Sequence, residues 1–456
     1  MAAAVLFGAV GGCCVGVSQP PGDGPTVALP YPHHVPKTPG GVSLRFAMVQ
    51  DVIHERFAKH GPAYYRERNR RARADLAANP PADRRDALAD DLGAGLDYTG
   101  DHDEAVRVLR DKLADQQTRG VTGRGLYTTY ANLGTFLIHG NFRAAMAGDA
   151  AAKDRLREGH GFIKQAIAAN PDAHFGREIW QAAVVEFLLA AMAKPELLKE
   201  FDCIGDRLDA AIDPSERRAI RRDMPWAIYA HGAQSIVEMD APAPGGRHDA
   251  RRAVAAVGAE AGWPADAVPS HPTAVPFDEP VLGMIGMWRQ GGGANPHFAL
   301  ALGEIMLRVG QRYLAWCAFE RAGRLADRYW PDPELQRFLR DHCTMRQAEI
   351  ESQLPAADVA QLRPRFDAEL AFGQGYQRDY QAYEEQRIAA GASIDDAHIY
   401  DDFHAGRPPI ASPVGPEDVF LIHEQAGVFT RVLATMVLGA GMVAFAVAWL
   451  SRRVTY

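Results

Sequence analysis

Cysteine is scarce in this chain, five in 456 residues, and its placement excludes a cysteine-built scaffold. Cys13 and Cys14 lie in an apolar leader. Cys203, Cys317 and Cys343 are too widely spaced for a disulfide framework, and none has a C-x-x-C partner for zinc or redox work. They read as small buried apolar residues, with a Cys317–Cys343 bridge as the alternative in an oxidising compartment. A basic surplus is missing too. The formal net charge is −8, which argues against a nucleic-acid partner. No G-x-S-x-G elbow, P-loop or dinucleotide fingerprint occurs, so the sequence implies no catalytic residue and no cofactor.

What is present is ordinary globular composition. Hydrophobic residues make up 47% and charged residues 23%. The length suits two or three domains or one extended repeat array.

The two ends are apolar. Residues Val432 to Leu450 run 19 residues without a charge. About 20 apolar residues cross roughly 30 Å of hydrocarbon, so 432–450 is expected to be a single transmembrane helix. Trp449 sits near its end, Arg431 precedes it, and Arg452 and Arg453 follow. Residues 1–17 have the length and small-residue content of a signal-peptide core, but no Lys or Arg follows Met1. Val10-Gly11-Gly12-Cys13 loosely resembles a bacterial lipobox, so a cleaved leader and a lipidated one both fit. If the leader directs export, the bulk is extracytoplasmic, periplasmic in a bacterium, and the tail stays in the cytoplasm, where two arginines fit the positive-inside rule. The rival is a tail-anchored protein with a cytoplasmic bulk.

Between the ends, 18–41 is a Pro/Gly linker. An N-terminal helical extension, 43–80, carries Phe46, Val49, Val52 and Phe57 at helical spacing and closes its first helix at Gly61-Pro62. Its arginines, Arg66 to Arg73, read as a solvated face. From 83 to 340 a motif recurs. Leu92-Gly93 is followed by Leu96, Gly100, Ala105 and Leu109, on helices expected over Asp86–Tyr98 and His102–Leu113. Tyr130, Leu133-Gly134, Leu137 and a turn at Gly140-Asn141 open a second copy, which resumes at Ile163, Ala166 and Pro171 after an insertion around Met146 to Arg155. A helix from Arg177, with Trp180, Val184, Phe187 and Leu188, opens a third. The clearest copy is Leu302-Gly303, Met306, Gly310, Ala315, Phe319, Ala322, with steps of 7, 5, 4 and 3 from Gly303.

This pattern resembles the tetratricopeptide (TPR) repeat, a 34-residue pair of antiparallel helices with small residues where the helices cross. A proline-rich excursion, 240–280, interrupts it. C-terminal helices, 341–390, follow, the last running from about Pro364 to Ala390 with Phe366, Leu370, Tyr376, Tyr380 and Tyr383 on one face. Residues 391–427 read as a polar stalk.

Candidate chemistry is thin. His54-Glu55 begins like H-E-x-x-H, but the next histidine is His60, so two zinc ligands at i and i+4 are not supplied. Gly291 to Gly293 precede a helix without a Lys-Ser/Thr and read as a loop. Asp395, Asp396, His398, Asp401, Asp402 and His404 put six oxygen or nitrogen donors into ten residues, a set that could hold a divalent cation, the plainer reading being an acidic solvated loop.

The expected fold is all-α, an irregular TPR-like array with a C-terminal single-pass helix. The resemblance implies a non-enzymatic scaffold or adaptor that binds other proteins at the outer side of a membrane. An extracytoplasmic enzyme, metal-assisted or not, and a structural envelope protein are the alternatives.

Overall fold

The computed structural model describes residues 46–170, 177–204, 208, 278–308, 311–405 and 407. Among these the fold is helical, with no strand. The helices are α1 (Phe46–Ile53), α2 (Pro62–Ala77), α3 (Ala82–Thr99), α4 (His102–Thr118), α5 (Tyr127–Met146), α6 (Ala150–Ala169), α7 (Arg177–Ala193), α8 (Leu197–Glu200), α9 (Asp278–Met287), α10 (Pro296–Arg308), α11 (Arg312–Leu325), α12 (Pro333–Glu351), α13 (Ala356–Ala389) and α14 (Asp401–His404).

Local chemistry sets the boundaries. Pro62 and Pro333 open α2 and α12, where the first N–H needs no partner. Asp149 and Asp332 cap α6 and α12, accepting from Ala152 N at 2.9 Å and Glu334 N at 2.8 Å. Gly100, at φ +90°, ends α3 in the left-handed conformation.

From α3 to α7 each helix packs on the one before it, and α3 also packs on α5. The hairpins close at glycines. A Cβ on Gly93 would overlap the Leu109 side chain, and one on Gly134 would lie 2.7 Å from the Gly159 carbonyl. The helices of the other hairpin, α10 and α11, are apolar almost all round. Ala299, Leu302, Met306, Leu314, Cys317 and Phe319 are fully buried, together with Trp180 of α7, Met284 of α9 and Phe366 of α13. A helix hydrophobic on every side belongs in the middle of a protein. The α10–α11 hairpin is therefore the centre of the main core, and the hairpins α3 to α6 build smaller cores of their own.

Several expectations are corrected. The all-α class stands without its transmembrane element. Among the described residues no helix is long and apolar enough to cross a membrane. The apolar α7 has only 17 residues, and the 34 residues of α13 carry charges along their length. Residues 432–450 lie outside the described residues, as do 1–17, 18–41, 408–427 and nearly all of 240–280.

Gly140-Asn141 is not a turn. It lies inside α5, where a Cβ on Gly140 would lie 2.7 Å from the His102 Cβ, and the chain reverses instead at Gly148, φ +98°. The insertion from Met146 to Arg155 is mostly the first turns of α6. The first helix ends at Ile53, eight residues before Gly61. The last long helix starts at Ala356 and continues through Pro364, because Pro364 and Ala360 face solvent and water can take the carbonyl freed there.

Candidate functional site

The most heavily built polar region lies where residues 54–61 run alongside α13. The α1 helix stops because Glu55 adopts φ +58°, a conformation that costs a non-glycine residue about 1–3 kcal/mol unless its surroundings impose it. They do. Gly373 lies flat under the His54 carbonyl, where any Cβ would collide. Gln377 Nε2 donates to the Glu55 carbonyl at 3.0 Å. The Glu55 carboxylate accepts from Arg321 Nη2 at 2.9 Å and Trp288 Nε1 at 3.3 Å.

Beside it His54 is fully buried. Its Nδ1 lies 2.9 Å from the Gln50 carbonyl, which only accepts, so Nδ1 carries the proton. Burial outweighs that hydrogen bond and the nearby Glu369 carboxylate, and pulls the His54 pKa down to about 4. Glu369 is held by Arg56 and by Gln50 Nε2 at 3.2 Å.

Further along, Gln381 Nε2 donates to the Lys59 carbonyl at 3.2 Å, and the fully buried carboxylate of Glu384 gathers three donors. His60 Nδ1 and the Tyr400 hydroxyl, the latter at 2.6 Å, meet Oε1, and Gly61 N donates to Oε2 at 2.8 Å. Aromatic rings enclose this carboxylate. Tyr64 stacks on His60 at 3.8 Å, Tyr380 stacks on Tyr400 at 4.8 Å, and Phe403 meets Tyr376 and Tyr380 edge-on at 5.3 Å. The Tyr98 hydroxyl donates to the His60 carbonyl at 2.7 Å and ties α3 to the same corner.

Other buried or half-buried charges are matched between helices. Asp90 accepts from Lys112 Nζ at 2.6 Å and Asn132 Nδ2 at 3.1 Å. Asp97 sits between His102 and His139, each Nδ1 at 2.8 Å. Glu304 meets His342 at 2.8 Å and takes two bonds from Arg346, at 3.0 and 3.1 Å. In each set the carboxylate and its partners come from different helices. The chemistry fixes how the helices lie against one another.

The residues singled out in sequence fall as follows. His54 and His60 are each engaged separately, so no zinc pair forms. Gly291, at φ +153°, packs against the His139 ring in the turn after α9. Arg68, expected on a solvated face, is buried and paired with Asp91. Cys203, Cys317 and Cys343 are buried and none is in a disulfide, and burial pushes the Cys343 thiol up, out of reactive range.

The six metal candidates do not converge. Asp395 accepts from Arg71 Nη1 at 2.7 Å, Asp396 accepts from His398 N at 2.9 Å, and His398 lies 2.7 Å from Asp401. Asp402 and His404 are exposed on α14. Among the described residues no group of three His, Cys, Asp or Glu side chains is placed to hold a metal ion. The apolar residues between them do the packing. Ile394, Ile399, Tyr400 and Phe403 are buried, so 391–405 is no solvated stalk but a segment folded back onto α13. Their spacing is visible in the sequence, masked by the acidic residues around them.

No family model, no curated protein and no solved structure matches this chain.

Proposed function

We propose that this chain is a non-enzymatic scaffold whose helical hairpins bind another protein. One observation carries the reading. The buried carboxylates Asp90, Glu304 and Glu384, and the mostly buried Asp97, are each held by donors from other elements of the fold. Interior chemistry of that kind sets the register of stacked helices, and it leaves recognition to the outer surfaces they present. The sequential packing of α2 to α7 is the second support, since stacked hairpins offer long surfaces suited to segments of other proteins.

The test is cross-linking of the full chain in its native extract, followed by titration of the purified candidate partner. A saturable complex of fixed stoichiometry supports the reading. A chain with no such partner that instead turns over simple ester, phosphate or peptide substrates would overturn it.

An enzyme is the second reading, and His54 favours it. A neutral imidazole beside a strained glutamate is the kind of group that serves as a base. Loss of any such turnover in His54→Ala would establish it.

A further inference from the structure

We propose that Ala392 to His404 is an autoinhibitory strap, occupying in cis a recognition seat for a tyrosine-containing acidic segment. The proposal rests on the scaffold reading above.

The strap is held to the body by side chains rather than by backbone. Its backbone hydrogen bonds are local, closing turns within itself or onto the last turn of α13. Its ties to the body run through side chains. Tyr400 reaches Glu384 at 2.6 Å, Tyr383 donates to the Ile399 carbonyl at 3.0 Å, and Arg71 donates to Ser393 Oγ at 2.9 Å and Asp395 at 2.7 Å. Four apolar or aromatic anchors, Ile394, Ile399, Tyr400 and Phe403, are buried, while Asp395, Asp396, His398, Asp401 and Asp402 face solvent. A segment with no backbone–backbone hydrogen bond to the helices it covers, beyond the last turn of α13, can open as its own unit without global unfolding.

The seat is formed by residues outside the strap. Glu384 keeps His60 and Gly61 as partners whether or not Tyr400 is there. Tyr376 and Tyr380 stack on each other along α13 at 6.3 Å. Arg71 is fixed by Glu67 through Nε at 2.7 Å, leaving Nη1 for the strap. Lifting the strap therefore uncovers a carboxylate acceptor at the floor, an aromatic wall and an arginine at the rim. The occupant that matches has a phenol donor, an aromatic ring three residues later and a carboxylate five residues earlier, as Asp395, Tyr400 and Phe403 supply. A partner reading this seat in trans must displace the strap, which lowers its apparent affinity by the fraction of time the strap is open.

The experiment uses the full chain, its Phe403→Ala variant and a labelled synthetic peptide of residues 392–405. In the variant, amide exchange should rise across 391–405 while α10 and α11 keep their protection. The peptide should bind the variant at least about tenfold more tightly than the parent chain, the ratio expected for a strap open less than a tenth of the time. A peptide carrying Tyr400→Phe should bind less well than the unaltered one. Loss of protection in α10 and α11 would make the segment part of the core and overturn the proposal. So would a released strap whose peptide binds neither chain, or binds both equally. None of these failures touches a partner captured elsewhere on the parent chain, so the scaffold reading stands or falls separately.

Discussion

Gly303 on α10 and Phe319 on α11 are in contact across their hairpin, and a Cβ on Gly303 would lie 2.7 Å from Phe319 Cε1. Gly93 and Leu109 repeat the relationship on α3 and α4 with the same sixteen-residue offset. Alanine at 303 gains about 1 kcal/mol of helix propensity. Phe319 is fully buried in the main core and cannot move aside, so overpacking of about 1–3 kcal/mol outweighs that gain. Gly303→Ala should lower stability in urea unfolding, Gly303→Leu should lower it further, and Gly303→Ala with Phe319→Leu should recover part of the loss. A Gly303→Leu protein as stable as the parent would mean that the helices do not meet there.

The Asp90–Lys112 pair is buried, and burial pushes the Asp90 carboxyl upward against the pull of Lys112. Removing only the cation, as in Lys112→Met, strands a carboxylate in the interior and should cost about 3–5 kcal/mol. Replacing Asp90 with Asn in the same protein removes the stranded charge and keeps an acceptor for Asn132. The double variant should therefore unfold at a higher urea concentration than Lys112→Met alone. If the single variant matches the parent, the pair does not hold α3 to α4 in solution.

Much of the helical order was legible in the sequence, because breakers and periodicity act locally. The expected His102–Leu113 helix shares its start with α4, and expected Asp86–Tyr98 ends one residue short of the end of α3. What failed depended on distant contacts. Gly140-Asn141 has turn chemistry, yet contact with His102 keeps it helical. Pro364 has breaker chemistry, yet its solvent-facing position in α13 makes the lost hydrogen bond tolerable. The Glu384 corner was not legible either, since two of its donors, His60 and Gly61, lie more than 300 residues before Glu384 and Tyr400 along the chain. Only the aromatic stripe of Tyr376, Tyr380 and Tyr383 hinted at it.

His139 and Asp97 should make the α3–α5 contact weaken as the solution becomes alkaline. Burial opposes the charge on His139, but the Asp97 carboxylate and its hydrogen bond prevail and raise the His139 pKa above its ordinary 6.5. A raised histidine contributes fully below pH 6.5, and its contribution is lost as pH rises through the folded value. Asp97 carries the opposite shift. Burial works against its charge, but His139 and the hydrogen bonds from both histidines hold its pKa below 3.8, so its share is lost only as pH falls through that depressed value. His139→Gln should flatten the fall in stability above pH 6.5. An unchanged slope in unfolding free energy between pH 6.5 and 8 would show that the pair carries no charge-dependent stability.

His54 and His297 work in the opposite direction. Burial holds both near pKa 4, against an ordinary value of 6.5. His297 is also fixed as an acceptor, since Trp330 Nε1 donates to its Nε2. In the unfolded chain both histidines take up protons as pH falls through 6.5, whereas in the folded protein they stay neutral until about pH 4. Their stabilisation is complete above 6.5, drains away between 6.5 and about 4, and changes no further below. Each pH unit in that window costs about 1.4 kcal/mol per group, so each histidine accounts for on the order of 3 kcal/mol across it. Between pH 6.5 and 5 most carboxylates are still ionised in both states, so the histidine slope can be read there without interference. Urea unfolding at pH 7, 6 and 5 should show stability falling toward acid, and a His54→Gln, His297→Gln protein should lose most of that slope whatever its absolute stability. If the slope is the same in the double variant, the two imidazoles are not held neutral in the folded chain, and His54 loses the feature that favours it as a base.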